Sequence, residues 1–169
     1  RTRAAIIGGF AGFGILGAAL AVGFGANSLF SIQTIELLGT EKIAEENIIT
    51  SARSSIADGG YFRQNLLFFD STVLSDRLQK EFPEIADVNF SRALAARRLA
   101  ILISERTPWA LWCRGNDCAY ADSDGIAFSH ALELSGELFL RINDHRTDSI
   151  ELGEPTATPA IIDTVSRFM

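Results

Sequence analysis

Apolar and polar residues recur along this chain with several distinct periods, each predicting a different element. From Ile6 to Phe24 there is no polar side chain, and no charged residue occurs anywhere from Ala4 to Ile35. About 20 apolar residues suffice to cross the hydrocarbon as a helix. The run is too long for the core of a signal peptide and too uniformly apolar to face water, so a transmembrane helix over 6–29 is expected. Ile35 and Leu37 then alternate with Thr34 and Glu36 as a half-buried strand ended by Gly39. Glu45 and Glu46 favour a helix N-terminus, and Ile48, Ile49, Ala52 and Ile56 recur at helical spacing until Gly59-Gly60. Asp70 caps a second helix with the apolar face Leu74, Leu78 and Phe82, closed by Pro83. Ala86, Val88 and Phe90 alternate with Asp87, Asn89 and Ser91, and Leu99, Ile101 and Ile103 form a third strand after a turn at Arg97-Arg98. The order β-α-α-β-β predicts an α+β unit with both helices on one face of a small sheet.

Composition sharpens this outline. All 21 acidic side chains follow the uncharged stretch, whereas Arg1 and Arg3 precede it. The positive-inside rule then leaves residues 1–5 as a cytoplasmic stub and places the rest of the chain outside. A net charge of −6 argues against a nucleic-acid partner, which selects a basic face. His130 and His145 have no metal-site spacing, and Asp122-Ser123-Asp124-Gly125 lacks the Glu of a calcium loop and reads as a turn. Neither a phosphate-cradling loop nor a nucleophile beside a base is present, so no enzyme, cofactor or small-molecule substrate is expected. The absent initiator Met and the apolar stripe Ile162, Val165 and Phe168, entered through Thr158-Pro159, predict a fragment in which nothing downstream covers that stripe.

Cys113-Arg114-Gly115-Asn116-Asp117-Cys118 places four turn-forming residues between two apolar pairs. A hairpin with a four-residue loop sets the cysteines opposite one another, within reach of a disulfide in an oxidising compartment. Two buried free thiols are the alternative reading, and catalytic thiols fit the spacing least.

The βααββ order behind an apolar helix resembles the POTRA domain of the bacterial cell-division family FtsQ/DivIB. The matching residues are Ile35-Glu36-Leu37-Leu38-Gly39, Phe69-Asp70, Leu78 with Phe82-Pro83, and Ile103 to Ala110 with its Glu105-Arg106-Thr107-Pro108 junction. Asp122, Gly125 and Phe128 are similar to the family's next signature. Ala44 departs from the family's capping Ser or Thr, and the turn 93–98 lacks its proline. The resemblance implies a POTRA domain at 31–106 and an incomplete β-rich domain at 107–169. It also implies a non-catalytic scaffold of the division septum in the cytoplasmic membrane, with small coiled-coil membrane proteins as partners. A POTRA-bearing component of a transport or outer-membrane assembly system is the alternative. Glu105 and Arg106 are expected at an exposed strand end, and Pro108 breaks the sheet before the next module. The family arrangement puts the second strand at the sheet edge, with Asp87, Asn89 and Ser91 exposed. Such an edge either accepts a partner strand or is kept safe by its shortness and polar face.

Overall fold

The computed structural model describes residues 29–60, 64–131 and 140–167. The expected membrane segment at 6–29 lies, except for Leu29, outside the described residues, as do the stub at 1–5 and Phe168. Among the described residues no helix is long and apolar enough to cross a membrane.

The first half is a three-stranded sheet backed by two helices. Strand β1 (Thr34–Leu38), helix α1 (Glu45–Asp58), helix α2 (Ser71–Glu81), strand β2 (Ile85–Ala93) and strand β3 (Arg98–Glu105) follow in that order. The sheet order is β1-β3-β2, with β1 parallel and β2 antiparallel to β3. Ile48, Ala52 and Ile56 of α1 and Leu74 and Leu78 of α2 bury against Leu37, Val88, Leu99, Ile101 and Ile103. Removing these side chains from water is the main term holding the layers together, about 25 cal/mol per Å² of apolar surface.

The local signals explain the helix ends. Asp70 caps α2 by accepting from the N–H groups of Thr72 and Val73 at 3.1 and 3.4 Å. Ala44 provides no side-chain cap for α1. Glu105 organises the approach to that helix instead, its carboxylate accepting from the N–H groups of Glu41, Lys42 and Ile43 at 2.8, 3.0 and 3.2 Å. Gly39 is required at the end of β1, where a Cβ would lie 2.2 Å from the carbonyl oxygen of Ile103. The proline-free turn before β3 closes with Arg97 in the left-handed region at φ 50°.

The second half is a four-stranded sheet of β4 (Ala110–Arg114), β5 (Asp117–Ala121), β6 (Ala127–His130) and β7 (Leu140–Asp144), in the order β6-β5-β4-β7, followed by helix α3 (Pro159–Ser166). Its core is Trp112, Ala119, Ala121, Ala127, Ile150 and Ile162.

Five details differ from the sequence-based expectations. Arg114 pairs with Asp117, so the β4–β5 loop is Gly115-Asn116 alone; Gly115 takes φ 62°, which lets a two-residue turn replace a four-residue one. The stripe on α3 is partly covered, because Ile162 buries against strands that precede it in the chain. Thr158 is the N-cap of α3 with Pro159 in its first turn, as the sequence suggests, but its side chain makes no cap bond. A bulge between Ile85 and Asp87 buries Ile85 in place of Ala86, and Phe90 is half-buried, packing edge-on to Phe69 at 5.4 Å. The fifth concerns Arg106.

Candidate functional site: a domain junction and an open sheet edge

Arg106 follows β3 and was expected at an exposed end; its side chain is instead 15% exposed. Its Nε donates to the carbonyl of Pro83 at 3.0 Å, and its guanidinium pairs with the carboxylate of Asp122, which is 9% exposed. The backbone N–H of Arg106 reaches the carbonyl of Glu84 at 2.7 Å. One residue thus ties the α2–β2 corner of the first sheet to the β5–β6 turn of the second. Asp122 is held for this role, since its other oxygen accepts from the N–H groups of Asp124 and Ile126 at 3.0 and 2.9 Å. No sequence pattern links Arg106 to Asp122.

The neighbouring Glu105 bonds within the first unit, to the N–H groups of residues 41–43. Burial pushes its carboxyl up, but the N–H donors of Lys42, Glu41 and Ile43 and the Lys42 charge outweigh this and hold it below its usual value. Pro108 lines a cleft of about 420 Å³ between the two sheets, with Ile43, Phe82, Tyr120 and Phe128 around it.

A further polar network, without signal in the sequence, braces the second sheet. Arg114, 7% exposed, donates to Asp144 at 2.9 Å, to Asp148 at 2.8 Å and to the carbonyl of Thr156 at 3.0 Å. Asp144 also accepts from Arg146 and from the indole N–H of Trp112. The Arg146 hydrogen bond is the largest influence on the Asp144 carboxyl; with Arg114 and Trp112 it overcomes burial and holds the group far below the usual carboxylate range. A disulfide joins Cys113 to Cys118 across the β4–β5 pair, with Cys113 buried. Among the described residues no group of His, Cys, Asp and Glu stands close enough to hold a metal ion.

Among the described residues strand β2 pairs with β3 on one side only. The side chains of Asp87, Asn89 and Ser91 are exposed, and Asn89 donates to Asp87 at 2.7 Å. The free backbone groups belong to other residues. Gln33 donates to the carbonyl of Arg97 at 2.9 Å, and the Ile103 carbonyl faces Gly39, so the odd-numbered residues of β3 serve β1. The even-numbered ones serve β2, where they pair with Asp87, Asn89, Ser91 and Ala93. The outward N–H groups are therefore those of Val88, Phe90 and Arg92. Beside this edge runs a groove of about 380 Å³ walled by Ser71, Thr72, Ser75 and Asp76 of α2.

These features were compared with known proteins. A search of curated proteins returned no match. Residues 30–106 match the family model of the POTRA domain, FtsQ-type. The match ends at Arg106, where the strand stops and the inter-sheet ion pair begins. Over residues 30–106 the chain thus resembles the FtsQ-type POTRA domain of the FtsQ/DivIB division proteins.

Proposed function

We propose that this chain is a non-catalytic scaffold of the bacterial division septum, crossing the cytoplasmic membrane once through residues 6–29. Residues 1–5 lie in the cytoplasm, and a POTRA domain at 31–106 and a β-rich domain at 107–169 lie outside it. The FtsQ-type POTRA domain carries this reading. The edge of β2 supports it, since the outward N–H and C=O groups from Val88 to Arg92, beside a groove, are suited to adding a strand from a partner, the Ala86 carbonyl being taken by Gln79 at 2.8 Å. Glu105, Arg106 and Pro108 form the domain junction in this reading, and Asp87, Asn89 and Ser91 flank the docking strand. The partners are other division proteins, among them small coiled-coil membrane proteins.

Proline substitution is a poor test of the edge, because the outward N–H groups belong to residues whose side chains are needed. Val88 is buried, Phe90 packs on Phe69, and the Arg92 guanidinium holds the carbonyls of Leu66 and Phe69. A photo-crosslinking side chain at Asn89 or Ser91 leaves the core intact. Expressed in dividing cells, both variants should yield adducts with division proteins. Adducts from a β-domain position but from neither of these would move the binding surface off β2. A reporter active only outside the cytoplasm, fused after Met169, should be on; silence refutes the topology.

A further inference from the structure

One end of the POTRA domain gathers exposed apolar side chains around the point where the chain enters it. β1 and β3 begin at this end and β2 finishes there, as the pairings of Thr34 and Ala93 with Arg98 require. Residues 30–32 run antiparallel to residues 64–66: the Ile32 N–H donates to the Gln64 carbonyl at 2.8 Å, and the Leu66 N–H to that of Phe30 at 2.9 Å. The following loop is well tied. Leu67 N–H is received by the buried Asn65 side chain at 2.8 Å, and Arg92 donates to the carbonyls of Leu66 and Phe69 at 3.2 Å each. Leu66 and Phe69 are buried, yet Leu67 and Phe68 between them are 47% and 62% exposed. Leu29 is 62% exposed, and Leu94, in the β2–β3 turn at the same end, is 40% exposed. The ties of this loop thus hold Leu67 and Phe68 at the surface while their neighbours are buried.

Chain connectivity says what the patch faces. Only four residues, Gly25 to Ser28, separate the last residue of the apolar run from Leu29. Fully extended, those five Cα steps reach about 18 Å, and as helix about 8 Å. The polar layer of one leaflet is itself about 5–8 Å deep. As helix the tether is used up in crossing that layer, and even fully extended it leaves only about 10 Å of clearance, so the end carrying Leu29 is the end turned towards the lipid.

We propose that Leu29, Leu67, Phe68 and Leu94 form a membrane-contact patch that seats this end of the POTRA domain at the headgroup–acyl boundary. The inference rests on the membrane-spanning reading of residues 6–29, with the apolar run 6–24 in the hydrocarbon and residues 25–29 at its polar margin. Leu and Phe are the side chains that amphipathic surface elements bury at this depth, and Arg97 in the same turn is placed for anionic headgroups. Seated so, β1 and β3 run away from the membrane and β2 runs towards it, with its free edge exposed along its length.

The test uses the full chain in phosphatidylcholine–phosphatidylglycerol vesicles, with and without bromine on the shallow acyl carbons. Phe68→Trp and Leu94→Trp add a reporter to the patch, and Leu102→Trp adds one at an exposed mid-strand position of β3. Emission is read as the difference from the parent, which contains Trp109 and Trp112. The two patch reporters should show a blue shift and lose intensity in bromolipid, while the Leu102→Trp reporter keeps both unchanged. Unquenched patch reporters in a chain that floats with the vesicles after an alkaline wash overturn the patch and leave the span standing. Equal quenching at all three positions overturns it too, since the domain then lies on its side. A chain that does not float after the wash refutes the span itself, and the patch with it.

Discussion

The Arg106–Asp122 pair makes a quantitative prediction about how the two sheets are joined. In Arg106→Met the stem of the side chain is kept and the guanidinium is lost, together with its bonds to Asp122 and to the Pro83 carbonyl. Removing one partner of a buried pair costs about 3–5 kcal/mol, because the other charge stays behind without compensation. Here Asp122 keeps two backbone donors on its other oxygen, and the pair retains some solvent contact, with side chains 15% and 9% exposed. The cost is therefore placed lower, at about 2–3 kcal/mol. Asp122→Asn keeps the acceptor for Asp124 and Ile126 but turns an amide N–H₂ towards the guanidinium, for about 2 kcal/mol. The double variant should be less damaged than the two losses added together, with a coupling of about 1–2 kcal/mol. Urea titrations of the detergent-solubilised chain, followed by Trp109 and Trp112 emission, measure all four corners of the cycle. Arg106→Lys should not restore stability, because an ammonium cannot reach Pro83 and Asp122 together. Additivity within about 0.5 kcal/mol would refute the reasoning and make Arg106 an ordinary charged strand end.

Gly125→Ala should destabilise the chain by about 1–3 kcal/mol, for steric and left-handed strain together, read in the same titration. Gly125 sits at φ +78°, and an added Cβ would meet Ile162 Cδ1 at 2.5 Å; unchanged stability would mean that α3 does not pack there. Glu105 titrates below its ordinary value of 4.5, so its clamp on residues 41–43 is present above that pH and is lost as the pH falls through the lower folded value. Hydrogen exchange at the Lys42 amide should speed up in acid relative to its intrinsic rate, and Glu105→Gln should show faster exchange at neutral pH; equal protection in both proteins would exclude the clamp. Reducing Cys113–Cys118 releases a loop with only four intervening residues, so a loss of at most about 2 kcal/mol is expected, and stoichiometric thiol labelling without reductant would show that no disulfide forms. Phe90→Ala should cost about 2–3 kcal/mol by thermal or urea unfolding, below the ~3–5 kcal/mol of a fully buried aromatic, because the ring is only half-buried.

Much of the first α+β unit was legible from local pattern. The periods of Ile48, Ala52 and Ile56 and of Leu99, Ile101 and Ile103 report which face is apolar, and burial follows that face wherever one layer covers it. Asp70 and Pro83 bracket α2 by chemistry that needs no tertiary partner. The facing cysteines were legible as well, although the loop between them was not: whether Arg114 and Asp117 pair depends on the twist Gly115 adopts. Long-range pairing left no such trace. Arg106 and Asp122 meet because two sheets pack corner to corner, and Arg114 and Asp144 because β4 and β7 lie side by side in parallel. A charged residue after a strand looks the same in sequence whether it faces water or a carboxylate from another module. Which backbone groups of β2 stay free is likewise set by how β3 divides its bonds between two neighbours. Periodicity assigns side chains to faces, whereas only the assembled sheet assigns N–H and C=O groups to an edge.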